Sequence, residues 1–267
     1  MDLILYLLTG AVSGFLAGLL GIGGGLIIVP ALVYALPHAG YGPDVLVQTA
    51  IGSSLAVIVF TALSSIRAHH RAGCIEWGVV RAIAPGVCLG ALGGAALAGQ
   101  LSGQTLRLIY LLFLLAAAWQ MLLELRPKGG GSPGPWGFAG AGLVIGVFSS
   151  LVGIGGGTLS TPFLLWCRRS IHHAVASSAA IGLPIAVAGS VGFVLTGLDR
   201  GGLPPGSTGF VAWPAVGAIG AVSVLLAPLG AAVAHRVAQK PLKRVFACLL
   251  LVLAVRIAYE LAARAPG

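Results

Sequence analysis

The chain is poor in charge. Only 8% of its 267 residues are Asp, Glu, Lys or Arg, while 58% are hydrophobic. A soluble domain carries about 25% charged residues. Mean hydropathy is +1.03. Apolar runs of about 17 to 25 residues, the length that crosses a bilayer, recur throughout with no soluble stretch between them. This excludes an ordinary soluble enzyme or binding module. Cysteine is scarce too. Cys74, Cys88, Cys167 and Cys248 show no CxxC spacing, so neither a metal centre nor a disulfide framework is expected, and no cofactor is implied. No Asp, Glu, Lys or Arg falls near the middle of an apolar span, which argues against a buried carboxylate relay for protons. Arg256 and Glu260, one turn apart near the end of the last span, are expected to neutralise each other. Residues 3–20 have no basic residue ahead of them, only Asp2, so they read as mature structure rather than a signal peptide. The formal net charge of +9 sits mainly in short loops, where it encodes orientation. No nucleic-acid partner is expected; the lipid bilayer is the expected surrounding.

Glycine is abundant instead, with 42 residues, and a glycine phrase is written twice: "GLLGIGGGLIIVP" at 18–30 and "SSLVGIGGGTLSTP" at 149–162. Each glycine costs a helix interior ~1 kcal/mol relative to Ala, so repeated runs inside apolar stretches predict broken helices. Gly14 aligns with Gly146, Gly21 with Gly153, Gly25 with Gly157 and Pro30 with Pro162. "AIGSS" at 50–54 then resembles "AVASS" at 174–178, and "LRLIY" at 106–110 resembles "LKRVF" at 242–246. The reading is a duplication: a first transmembrane repeat (1–125), a Gly/Pro linker (126–135) and a second transmembrane repeat (136–267). Each repeat holds one glycine-interrupted segment and three plain spans, at 48–66, 82–99 and 106–123, and at 174–197, 211–234 and 245–261.

The basic residues predict orientation. Arg67, Arg71 and Arg81 surround the loop after the first plain span, but the matching loop of the second half has only Arg200 beside Asp199. Arg168 and Arg169 precede the second half's first plain span, where 37–47 contains no Lys or Arg. The loop 100–105 has none, while its counterpart has Arg236 and Lys240, with Lys243 and Arg244 beyond. Cytoplasmic loops carry the positive excess, so the halves are expected to face opposite ways as inverted repeats. Inversion with three plain spans requires the glycine segment to enter and leave on one side. Its second arm, 26–36, reaches only ~16 Å as helix against a hydrocarbon core of ~30 Å. The expected fold is therefore all-α and polytopic, with two glycine-tipped hairpins, one from each face, about ten helical segments and both termini outside.

Irregular backbone at membrane depth must be buried in protein or line a polar cavity. Gly21, Gly23, Gly24 and Gly25, with Gly153, Gly155, Gly156 and Gly157, can bring backbone N–H groups close to a ligand. The short helices that follow offer unpaired N–H groups at their N-termini. Two such ends from opposite faces would form an anion site near the midplane. Gly24 and Gly156, in the middle of the runs, are expected to have ordinary φ and to act through space alone. Thr49, Ser53, Ser54, Ser177 and Ser178 are candidate hydroxyl donors, since a hydroxyl binds an oxyanion without the cost of a buried charge. Thr158, Ser160 and Thr161 make the second hairpin more polar than the first, which has Ile27, Ile28 and Val29. Gly86, Gly90 and Gly94 read as a helix-packing stripe. His69–His70 and His172–His173 read as solvated loop residues, because adjacent helix positions do not face one another.

The two GxxGxGGG phrases, with Pro30 and Pro162 and with AIGSS and AVASS at fixed distances, resemble the sulfite exporter TauE/SafE family over essentially the whole chain. Ser150, where the first phrase has Gly18, departs from the pattern. The resemblance implies a permease, not an enzyme, that moves a small sulfur-containing oxyanion such as sulfite or an organosulfonate across the bacterial inner membrane. Direction, coupling and oligomeric state, a homo-oligomer included, are left open by it. Two other readings stay open at this point: a passive anion channel, and a membrane metal-handling protein using the histidine pairs.

Overall fold

The computed structural model describes residues 2–20, 24–123, 130, 131, 133–234 and 239–263. Gly21, Gly23 and Arg236 lie outside the described residues, as do residues 126–129 and 132 of the expected linker 126–135. Among the described residues there are ten α-helices: α1 (Asp2–Leu20), α2 (Gly25–Ala35), α3 (Pro43–Arg71), α4 (Trp77–Gln100), α5 (Gly103–Leu122), α6 (Pro135–Val152), α7 (Gly157–Trp166), α8 (Ile171–Gly197), α9 (Trp213–Ala234) and α10 (Gln239–Ala263). A 3-10 turn (Leu36–Ala39) ends α2, and an antiparallel pair, β1 (Ser207–Thr208) with β2 (Val211–Ala212), leads into α9. Helix starts follow local chemistry. Pro43 and Pro135 occupy first-turn positions, where a missing N–H costs nothing. Ser102 and Ser170 cap α5 and α8 by accepting from Thr105 and His173.

Seven helices, α3 to α6 and α8 to α10, are long and apolar enough to cross a membrane. That is one more than the six plain spans: α6, the 18-residue first arm of the second hairpin, joins them. The chain is thus an all-α, multi-pass membrane protein. α3 is its axis: 83% of its apolar window is buried inside the protein, against 22% for α10. The outward side chains of the peripheral helices, such as Leu112, Leu195, Leu225 and Val252, are apolar and match hydrocarbon rather than water.

Close backbone contacts set the helix order. A Cβ on Gly86, Gly90 or Gly94 of α4 would overlap the carbonyls of Ala139, Leu143 and Val147 on α6. Gly10 and Gly14 of α1 meet Ile219 and Ser223 of α9 in the same way. This is the small-residue packing that lets apolar helices associate in lipid. The ascending registers mean that α4 runs parallel to α6 and α1 parallel to α9. At one end of the bundle, His173 at the start of α8 meets the carbonyl of Cys74, just past α3. At the other, Arg200 just past α8 donates to the carbonyl of Gly99 at the end of α4. α3 therefore runs from an end carrying Asp44 to an end carrying Arg71, and α8 runs back. The α1–α2 hairpin enters from the Asp44 end and the α6–α7 hairpin from the Arg71 end.

Candidate functional site

The two hairpin tips touch. A Cβ on Gly25, the first residue of α2, would overlap the carbonyl oxygen of Gly153 and come within 3.0 Å of Ile154 Cα. On the other side of that contact Ser54 of α3 donates to the same Gly153 carbonyl at 2.9 Å. Gly153 ends α6 with φ 73° while the Ile154 N–H closes onto the Ser149 carbonyl at 2.9 Å. This left-handed termination is open to glycine at little cost. Gly155 is buried and Gly157 opens α7.

The middle glycines differ from each other. Gly156 has ordinary helical φ, −56°, and abuts α8: its Cβ would lie 2.9 Å from the Gly182 nitrogen. Gly24 instead has φ 70°, so the expectation of ordinary φ fails there. The chain must reverse into α2 within a few residues, and the left-handed region supplies the turn.

Each predicted hydroxyl has a definite place. Thr49 donates back to the Val45 carbonyl at 2.7 Å. Ser53 accepts from the Ala212 N–H at 2.9 Å and Ser177 from the Glu76 N–H at 2.9 Å. Each of these acceptors secures the residue just before a tryptophan that begins a helix of the other half, Trp213 of α9 or Trp77 of α4. Ser178 pairs with Thr161 at 2.7 Å and donates to the Val175 carbonyl at 3.0 Å. Of the sequence-predicted residues, the structure brings together Gly25, Ser54 and Gly153 at one contact and Gly156, Thr161 and Ser178 at another. Thr49, Ser53 and Ser177 stand apart from both.

Around the second turn lie four hydroxyls that are buried and have no partner: Ser149 and Ser150 in the last turn of α6, and Thr158 and Ser160 in the first turns of α7. All are at most 7% exposed. Buried polar groups are nearly always bonded, and an exception calls for an absent water or ligand. The α7 N-terminus adds backbone donors and a partial positive charge beside them. Ser149 was missed from sequence, Ser150 was noticed only as a departure between the phrases, and Ser160 only as polarity of the second hairpin; hydroxyls at helix ends look alike until their bonding is known. Pro162, inside α7, has no N–H to give the Thr158 carbonyl, so that acceptor loses its intrahelical donor.

Arg107 was also missed. It sits on the second turn of α5 and is 7% exposed; from sequence it belonged to the edge of a span. Arg256 and Glu260 pair at 3.3 Å as expected, and the Arg256 guanidinium lies 4.9 Å from the Tyr34 ring centre. Among the described residues no group of three or more His, Cys, Asp or Glu is placed to hold a metal ion. His70 packs edge-on against Trp77. His173 joins Glu76 and Arg169, which form an ion pair of 2.9 Å. Near the other end Tyr41 is bonded to Ser207; burial pushes its phenol above the usual range, and the Ser207 bond pulls it partly back.

The family model described as Sulfite exporter TauE/SafE matches residues 6–257. A "Probable membrane transporter protein" of Haemophilus influenzae is 36% identical over 96% of this chain and 97% of its own length. The "Probable membrane transporter protein YunE" of Bacillus subtilis is 27% identical over 74% of this chain and 80% of its own. A "Probable membrane transporter protein" of Methanocaldococcus jannaschii is 25% identical over 92% and 91%. No solved structure matches the chain.

Proposed function

Because the chain belongs to the sulfite exporter TauE/SafE family, a family of membrane transporters, we propose that it is a permease for a small sulfur-containing oxyanion, such as sulfite or an organosulfonate, in the bacterial inner membrane. The observation that carries the reading is the set of unpartnered buried hydroxyls, Ser149, Ser150, Thr158 and Ser160, around the second glycine turn. Hydroxyls and helix N–H groups bind an oxyanion through hydrogen bonds alone. The site stays neutral when empty, so it carries no buried charge in need of a counterion.

The proposed cycle uses the halves as inverted repeats. Helices at corresponding positions, α3 with α8 and α4 with α9, run in opposite directions, and corresponding contacts (α1 on α9, α6 on α4) recur. This is the arrangement expected when one half rocks against the other around a midplane site. On this reading the Gly25–Gly153 contact is the pivot and the hydroxyls of the second tip hold the anion. Positive-inside placement puts the Arg71 end in the cytoplasm.

The test is sulfite-induced thermal stabilisation of the purified full chain, since a ligand that binds the native state raises its apparent stability. Proteoliposome flux of sulfite is measured beside it. Ser160→Ala should melt like the parent without sulfite and lose most of the sulfite response and flux. A parent chain with no response to sulfite or any tested sulfonate, or a Ser160→Ala variant that responds normally, would overturn the reading.

A further inference from the structure

At the Asp44 end of the bundle lie two cavities. One, of about 350 Å³, is walled by α2, α3, α5 and α10 and lined by Tyr34, Tyr110 and Arg256. The other, of about 590 Å³, is lined by Asp44, Gln48, Ser102 and Arg200. Arg107 lines both. Positive-inside placement leaves few basic residues at this end, and the three described Lys/Arg side chains here, Arg107, Arg200 and Arg256, all line these two cavities. Two are partly committed: Arg256 is paired with Glu260, and Arg200 donates to the Gly99 carbonyl at 3.2 Å. Arg107 is the buried one. Its planar guanidinium has five N–H donors in a fixed fork, enough to keep a protein contact and still clasp two oxygens of one anion. Beside it Gln48, 4% exposed, donates to the Leu101 carbonyl at 3.0 Å while its Oε1 is buried without a partner. Only a water or a proton-bearing ligand satisfies that acceptor.

We propose that Arg107, with Arg200, forms an anion-binding vestibule between the two cavities it lines, which captures a small oxyanion at the Asp44 end before or after its passage through the hairpin site; the Gln48 Oε1, an acceptor, adds a bond where the anion carries a proton, as hydrogensulfite does. The proposal rests on the anion-permease reading but uses different residues. A charged vestibule raises the local concentration of the anion at the mouth, while the neutral hydroxyl site lets it pass without being trapped by a fixed charge.

The experiment places a single cysteine at Ser102, exposed on the rim of the second cavity, in the full chain without its four native cysteines. Two small thiosulfonate reagents, one bearing a sulfonate and one a trimethylammonium group, probe it. Arg107→Gln should slow the anionic reagent roughly tenfold and leave the cationic one no slower, and Arg107→Lys should recover part of the anionic rate. An unreactive alkylsulfonate such as ethanesulfonate, used in place of sulfite because sulfite cleaves thiosulfonates and mixed disulfides, should protect the parent's cysteine and not the Gln variant's. An unchanged ratio of anionic to cationic rates overturns the vestibule. If Arg107→Gln does not fold, alkylsulfonate protection of the parent decides, and its absence overturns the proposal. Ser160→Ala separates the two readings. A lost sulfite response there with an unprotected rim in the parent defeats the vestibule alone. A normal response there with a protected rim defeats the hairpin site alone.

Discussion

The two hairpins are written with one phrase but solved differently. At the start of α2 the residues after the glycines are Leu26 and Ile28, each 1% exposed; at the same places in α7 stand Thr158 and Ser160. Each arm carries an interior proline that removes one backbone donor. In the first hairpin the loss is made good: Pro30 cannot donate to the Leu26 carbonyl, and the Tyr110 hydroxyl does so instead at 2.9 Å. In the second, Pro162 leaves the Thr158 carbonyl without its helical donor, and the position matching Tyr110 is Phe246, which has no hydroxyl. The first hairpin is therefore closed with internal bonds and apolar side chains. The second carries hydroxyls left unpartnered, those of Thr158 and Ser160, beside the paired Thr161 and Ser178. The same glycine phrase thus serves two backbone turns, and a few side chains around them make one turn closed and the other a candidate binding element.

The largest effect is expected where the tips meet. Gly25→Ala forces a Cβ onto the Gly153 carbonyl, backbone against backbone, and should cost on the order of 3 kcal/mol, at the upper end of overpacking. Loss of expression or a large fall in melting temperature is expected. A normally melting variant would mean that the tips are not in contact.

Next in size is the contrast between the middle glycines. Gly24→Ala should cost ~1–2 kcal/mol because an L-residue is strained in the left-handed region. Gly24→Asn should recover part of the loss, since Asn tolerates that conformation. Gly156→Ala and Gly156→Asn are limited by space against Gly182 instead, so Asn there should melt no higher than Ala. Equal Asn rescue at both positions would remove the distinction.

A smaller effect separates satisfied from unsatisfied hydroxyls. Tyr110→Phe should destabilise the anion-free protein by ~1–3 kcal/mol, the penalty for a buried carbonyl left bare. Thr158→Val deletes a hydroxyl without a partner and should change anion-free melting little, yet weaken the sulfite response by ~0.5–3 kcal/mol. Melting curves with and without sulfite read both. Matching behaviour of the two variants would mean that the hairpins are equivalent after all.

The smallest perturbation tests direction alone. Single cysteines at Asp44 and Arg71, on a cysteine-free background, should react with a membrane-impermeant thiol reagent from opposite sides. Labelling from one side would undo the inverted arrangement.

Much of this was legible along the chain because it depends on local chemistry. Apolar runs of bilayer length specify spanning helices wherever they occur, since every backbone group in hydrocarbon must be bonded within its own helix. The length of residues 26–36 and the glycines before them forced a hairpin, and the i,i+4 spacing of Arg256 and Glu260 forced their pairing. What the tertiary structure decided is which polar atoms remain unused. Ser53 and Ser177 were candidate ligand donors; backbone N–H groups from the other half, remote in sequence, bond their oxygens and fix each hydroxyl in place, while its proton is left to donate. Ser149 and Ser150 looked ordinary and were left without partners by the helices that bury them. Gly24 and Gly156 occupy matching places in one phrase, and only the packing of α1 and α8 around them made one a left-handed turn and the other a close contact. Hydrogen-bond satisfaction and backbone strain are sums over neighbours distant in sequence, and a sequence lists neighbours in only one dimension.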